Sequence, residues 1–145
     1  EPKLIKEISH KYGNQSIIQS LDCKKITQEN KYTVMGSSGK VDLLVDPIKF
    51  GLMALSYGVG EILINHIDYD GSLLGYDLNL INSVSEKLDC PTLALGGAGS
   101  WQHILDLFLK TNISAACTQN IFHFTEESIL SAKKFLKNSN IKIRN

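Results

Sequence analysis

No stretch of this sequence stays apolar for the roughly 20 residues that a membrane-spanning helix needs, and no membrane role is expected of it. Charge of one sign is also missing. Fifteen Lys and Arg balance fifteen Asp and Glu, so the overall charge offers no argument for nucleic acid or an anionic surface. Cysteine is sparse. Cys23, Cys90 and Cys117 are odd in number, far apart and never in a C-x-x-C pair, which argues against a zinc ribbon or a thioredoxin-type centre. They read as reduced, mostly buried thiols of a cytoplasmic protein. The four histidines are scattered, and neither His103 and His123 nor any other pair falls at helical i, i+4 spacing, so no metal site is expected. Linkers rich in Pro or Ser and low-complexity runs are absent. The opening EPKLIKEISHKYG lacks the apolar core of a secretory signal and reads as an amphipathic helix. It also lacks an initial methionine, which suggests a processed chain or a piece of a longer one.

What is present is a core. The 145 residues are 43% apolar, enough for one domain over 1–145. Their periodicity alternates between helix and strand. Residues 3–12 read as a helix and IIQSLD as a short strand, followed by a polar stretch and a second possible strand, KYTVMG. Asp46 and Pro47 form an N-cap and first-turn proline for IKFGLMALSY, which stops at Gly58. EILINHI is the next strand. DLNLINSVSEKL follows as a helix with an apolar stripe at Leu78, Leu80, Ile81, Val84 and Leu88. After Pro91 come the strand TLAL, the turn GGAGS, and a helix WQHILDLFLK capped by Ser100. ISAACTQ is the last strand, IFHF a short helical turn, and TEESILSAKKFLKN a final helix capped by Thr125. Apolar strands alternating with amphipathic helices predict an α/β fold with a parallel sheet. Chemistry in such folds gathers at the carboxyl ends of the strands.

Those ends hold the candidate residues. Gly96-Gly97-Ala98-Gly99-Ser100 reads either as a cradle for a phosphate at a helix N-terminus or as a tight turn in close packing. Gln119-Asn120, after the next strand, favours the phosphate reading, although Asn120 alone is also an ordinary cap. Asp22 ends an apolar strand and is placed either for proton transfer or for pairing with Lys24 or Lys25. Asp70-Gly71 is a turn signal. Of Asp68 and Asp70, one is expected at the site and the other ordering the loop. Glu61 opens its strand at the opposite end, either as a solvated start or as a charged group on the floor of a barrel, paired with a basic residue.

SLDCKK, GVGEILINHIDYDGSLLGYD, LALGGAGS and IFHF, in that order, resemble the cyclase-subunit family of imidazole glycerol phosphate synthase. The resemblance runs from about residue 3 to the C-terminus. It implies a (β/α)8 TIM barrel, of which this chain matches the second half, strands five to eight with their helices. It implies a lyase-type cyclase that takes ammonia from a glutaminase subunit. That enzyme converts phosphoribulosyl-formimino aminoimidazole carboxamide ribonucleotide to imidazole glycerol phosphate and aminoimidazole carboxamide ribotide, without metal or organic cofactor. By resemblance, Asp22 is one of two catalytic aspartates. Asn65 faces the substrate; Asp70, Gly71, Gly97, Gln119 and Asn120 hold a substrate phosphate; Glu61 belongs to the ammonia gate. The sequence departs from the family's T-S-x-D-R-D-G-T at Asn65, His66 and Tyr69. His66 is expected to add bulk near the substrate, and Tyr69 to remove a cation. DPIKFGLMAL and VGEILIN also resemble a related branch that delivers ammonia for sugar amidation in surface polysaccharide synthesis. A third reading is a non-catalytic phosphate-binding half barrel. Its exposed sheet edges would pair with the missing amino-terminal half or with a second copy.

Overall fold

The computed structural model of the chain describes residues 1–26, 31–118, 121 and 129–144. Helix α1 (Pro2–Tyr12) leads through a single 3₁₀ turn (Asn14–Ser16) into strand β1 (Ile18–Ile26). Strands β2 (Lys31–Gly36) and β3 (Val41–Asp42) follow, then α2 (Pro47–Ser56), β4 (Glu61–His66), α3 (Leu78–Ser85), β5 (Thr92–Leu95), α4 (Trp101–Lys110), β6 (Ala115–Ala116) and α5 (Ile129–Asn138). The six strands form one sheet in the order β3-β2-β1-β4-β5-β6. β1, β4, β5 and β6 are parallel neighbours in chain order, with a helix in each connection. This mixed α/β arrangement is the one expected of a member of the TIM-barrel class.

The helix starts are chemically explicit. Asp46 accepts hydrogen bonds from the N–H groups of Ile48 and Lys49 at 2.9 and 3.1 Å. Ser100 accepts from the His103 N–H at 3.2 Å. Both satisfy donors that a first helical turn leaves unpaired. Asp77, read from the sequence as the first residue of α3, is its cap instead, accepting from Asn79 and Leu80 at 3.1 Å each.

Strand β1 differs most from expectation. It continues past Asp22 to Ile26, where a polar loop is predicted. The reason is an antiparallel partner: Cys23 lies opposite Val34, and Ile26 opposite Lys31. β3 is too short to leave a periodic signal. β6 keeps only Ala115–Ala116 of the predicted ISAACTQ, and α3 ends at Ser85 rather than Leu88. Of IFHF only Ile121 is among the described residues, and the Thr125 cap lies outside them.

Alternation places Leu21, Cys23, Ile62, Ile64 and Ala94 on one side of the sheet, all fully buried beneath Leu80, Ile81, Val84 and Leu107. Burying each of the large aliphatic side chains contributes about 1.5–3 kcal/mol. The other side carries Ile18, Leu63, Leu93 and Leu95, none of them fully buried. All three cysteines are free, and only Cys23 is fully buried; its thiol is pushed up to about 12, first by burial and then by nearby carboxylates.

Candidate functional site at the carboxyl ends of the parallel strands

Asp22, Asn65 and Leu95 stand side by side in the register of β1, β4 and β5. Asp22 Oδ1 accepts from Asn65 Nδ2 at 3.1 Å and from Ser20 Oγ at 3.2 Å. Lys24 reaches Asp68 at 3.8 Å instead. The pairing of Asp22 with Lys24 or Lys25, one of the two readings of the sequence, is not found among the described residues. Asn65 is buried, and its Oδ1 has no hydrogen-bond partner among them. The amide therefore spends its donor on the Asp22 carboxylate, which keeps that carboxylate oriented.

The chain leaving β4 turns back at once. The N–H groups of Tyr69 and Asp70 both donate to the His66 carbonyl, at 3.0 and 3.1 Å. The chain leaving β5 passes through Gly96 and Gly97, both with φ near +95° (94° and 99°). A Cβ on Gly97 would sit 2.0 Å from the Gly75 carbonyl oxygen, and the Gly97 carbonyl accepts from the Gly75 N–H at 2.7 Å. The two loops are thus packed backbone against backbone, and glycine is required for that contact. Close packing, one reading of this turn, is present.

Between the loops lies a cleft of about 250 Å³, lined by Asp70, Gly71, Leu95, Gly96, Gly97, Ala98, Cys117 and Thr118. The backbone N–H groups of Gly71, Gly97 and Ala98 have no acceptor among the described residues. A concave, glycine-lined loop pair of this kind suits an anion. Asp22 is two strand spacings from Leu95, about 10 Å. Cys117 and Thr118 were not foreseen at the cleft; their place directly after a strand was the available signal. Gln119 and Asn120 lie outside the described residues.

His66 does not add bulk near the substrate side. It shares a sheet face with Ile62 and Ile64, is 3% exposed, and packs away from Asn65. Its ring stacks on Tyr69 at 4.4 Å, meets Tyr32 edge-on at 5.9 Å, and places Nδ1 3.0 Å from Asp77 Oδ2. The Tyr32 hydroxyl donates to the same carboxylate oxygen at 2.9 Å. Burial opposes charge on Asp77, but the His66 ring, the Leu80 N–H and the Tyr32 hydroxyl outweigh it and hold the carboxyl below its ordinary value. This buried cluster had no sequence signature beyond an aspartate ahead of an apolar helical stripe.

Glu61 sits at the opposite end of β4, about 13 Å from Asn65 along the strand. It lines a second cleft with Asn14, Gln15, Val59, Gly60, Asp89 and Cys90. The basic partner expected for it is not among the described residues of that cleft. Among the described residues no three His, Cys, Asp or Glu side chains converge as a metal site would require, and no helix is long and apolar enough to cross a membrane.

Helix-alternated parallel strands, with polar side chains and a glycine-lined cleft at their carboxyl ends, fit an α/β protein of the TIM-barrel class. The chain belongs to the histidine biosynthesis protein family, whose sequence model matches residues 1–128. It is 37% identical over 143 residues to the imidazole glycerol phosphate synthase subunit HisF of Bacillus cereus (strain G9842), covering 99% of this chain and 56% of that protein. The same subunit from strain AH187 is 38% identical over the same coverage. The chain spans about half the length of the curated relatives it matches.

Proposed function

We propose that this chain is the second half of a (β/α)8 barrel, strands five to eight, and that the whole barrel is the cyclase subunit of imidazole glycerol phosphate synthase. In that role the barrel takes ammonia from a glutaminase subunit, in the cytoplasm. It closes the imidazole ring of the formimino ribonucleotide, releasing imidazole glycerol phosphate and aminoimidazole carboxamide ribotide. The observation that carries the reading is the alignment of Asp22, Asn65 and the glycine-lined cleft at one end of the parallel strands. The names and coverage of the relatives support it.

Each residue then has a task. A substrate phosphate lies in the cleft against the backbone of Gly71 and Gly97, with Gln119 and Asn120 adding donors from the next loop. Asp70 belongs to the same grip and shapes its rim, with its backbone N–H donated to the His66 carbonyl. Asp22, oriented by the Asn65 amide, takes and returns protons as ammonia adds and the ring closes. Its counterpart aspartate comes from the first half. Glu61 guards the entry of ammonia at the amino end of the strands, and its basic partner comes from the first half as well. The chemistry as proposed uses no metal or organic cofactor.

The test uses the full-length protein with the formimino ribonucleotide and saturating ammonium salt. Asp22→Asn is expected to cut turnover by about 10²–10⁴-fold, the share of a general acid–base group, while leaving substrate affinity close to the parent's. Unchanged turnover in Asp22→Asn removes the assignment. No turnover in the parent, with failure to restore growth of a histidine auxotroph, removes the cyclase reading and moves the protein to the sugar-amidating branch.

A further inference from the structure

Residues 67–76 form a loop whose neck is closed by side chains that the cyclase reading does not use. At its start His66 is 3% exposed; at its end Asp77 is 9% exposed, and His66 Nδ1 and Asp77 Oδ2 are 3.0 Å apart. Asp77 cannot shift freely. Its Oδ1 caps α3 and its Oδ2 accepts from Tyr32 on β2. His66 is therefore held against a fixed carboxylate. From there it touches the loop twice: its carbonyl accepts from the N–H groups of Tyr69 and Asp70, and its ring stacks on Tyr69 with planes 16° apart. The stacked tyrosine directly precedes Asp70 and Gly71, which line the cleft.

We propose that His66 is a positioning residue for the anion cleft: braced by Asp77 and Tyr32, it locks the Tyr69–Gly71 segment and so sets how tightly the cleft holds a phosphoryl group. The phosphoryl part rests on the reading of the cleft given above. The locking part stands on the geometry alone. A core histidine with no such task would satisfy its ring within the core, without a loop tyrosine stacked on it. Here the ring spans the gap between a capped carboxylate and a half-buried loop tyrosine, and the loop's own backbone folds onto the same residue.

The experiment compares the 145-residue chain with His66→Ser, His66→Phe and Tyr69→Ala. Binding of inorganic phosphate and amide hydrogen exchange are both followed by NMR. His66→Ser is expected to weaken phosphate binding about tenfold, the size of losing an aromatic stack together with a buried polar contact. Exchange should quicken at Tyr69 and Asp70 but not at Leu93–Leu95 in β5, because a local anchor protects only its own segment. His66→Phe keeps the stack and should recover part of both. Tyr69→Ala removes the stack from the loop side, leaves the core intact, and should reproduce the local exchange change even if His66→Ser does not fold. Exchange that rises equally across the loop and β5 makes His66 an ordinary core residue and overturns the proposal. So does Tyr69→Ala with parental exchange at Asp70. Absence of phosphate binding in the parent defeats the reading of the cleft, while the exchange pattern still decides whether His66 locks the loop.

Discussion

Asp77 joins three elements through one carboxylate: the start of α3, the Tyr32 hydroxyl on β2 and the His66 ring at the end of β4. Its carboxyl titrates lower in the fold than its ordinary value of 3.8, despite burial. A group held lower in the folded state stabilises the fold above its unfolded value and loses that contribution as pH falls through the folded one. Melting temperature should therefore drop as the solution is acidified from about pH 6 to about pH 2.5, and Asp77→Asn should show a shallower drop. Asp42 and Asp106 are lowered too, so the slope is reduced in that variant and not abolished. Equal acid slopes in the two proteins would count against the account. At this scale the sequence was only partly readable. Asp22 announces itself as a polar residue closing an apolar run, whereas Asn65 is reached only through the family resemblance. The place of His66 was not legible, because polarity alone does not say which face of a strand a side chain takes, and the histidine followed the buried parity of Ile62 and Ile64.

Elements show the same division. Those with their own signals, the capped helices α2 and α4 and the strands β4 and β5, fall close to where periodicity and turn chemistry place them. The β1–β2 pairing was illegible, since Lys24 and Lys25 look like loop and only the antiparallel partner makes them strand. The GGAGS turn was legible as a special backbone, but its first cause is packing. A methyl group at Gly97 would collide with the Gly75 carbonyl at 2.0 Å, at a φ of +99°. Gly97→Ala should thus lower folding stability by more than about 1 kcal/mol, from the backbone conformation alone. Gly36→Ala is the control. The added atom there meets only the end of the Leu43 side chain at 3.1 Å, with an ordinary φ. Urea denaturation of the two variants separates the cases, and similar midpoints would mean that the loops yield to the methyl group. A weakened phosphate affinity in a Gly97 variant consequently reports loop displacement as much as crowding of the anion.

At the scale of the molecule, the leading fact is the sheet face that carries no fully buried aliphatic side chain among the described residues. Ile18, Leu63, Leu93 and Leu95 lie on the side opposite the helices, and Ile18 is 54% exposed. β1 gains β2 only from Cys23 onward, so its Ile18–Asp22 stretch has β4 as its one strand neighbour among the described residues. The outer side of β6 has no strand neighbour among them either. Bare edges next to an apolar face favour association, because both the unpaired backbone groups and the apolar area gain from being covered. In the proposed half barrel that cover is the first half; without it, a second copy is the available substitute. Sedimentation of the isolated chain should show reversible self-association that strengthens with concentration. Leu63→Glu with Leu93→Glu should return it to a monomer with unchanged far-ultraviolet circular dichroism, since neither side chain belongs to the buried core. Adding the amino-terminal half of a Bacillus cereus relative should convert the self-associated species into a one-to-one complex, and the same double variant should block that conversion. A chain that stays monomeric at every concentration and ignores the added half would show that this face is stable in water, and the half-barrel reading would lose its physical basis.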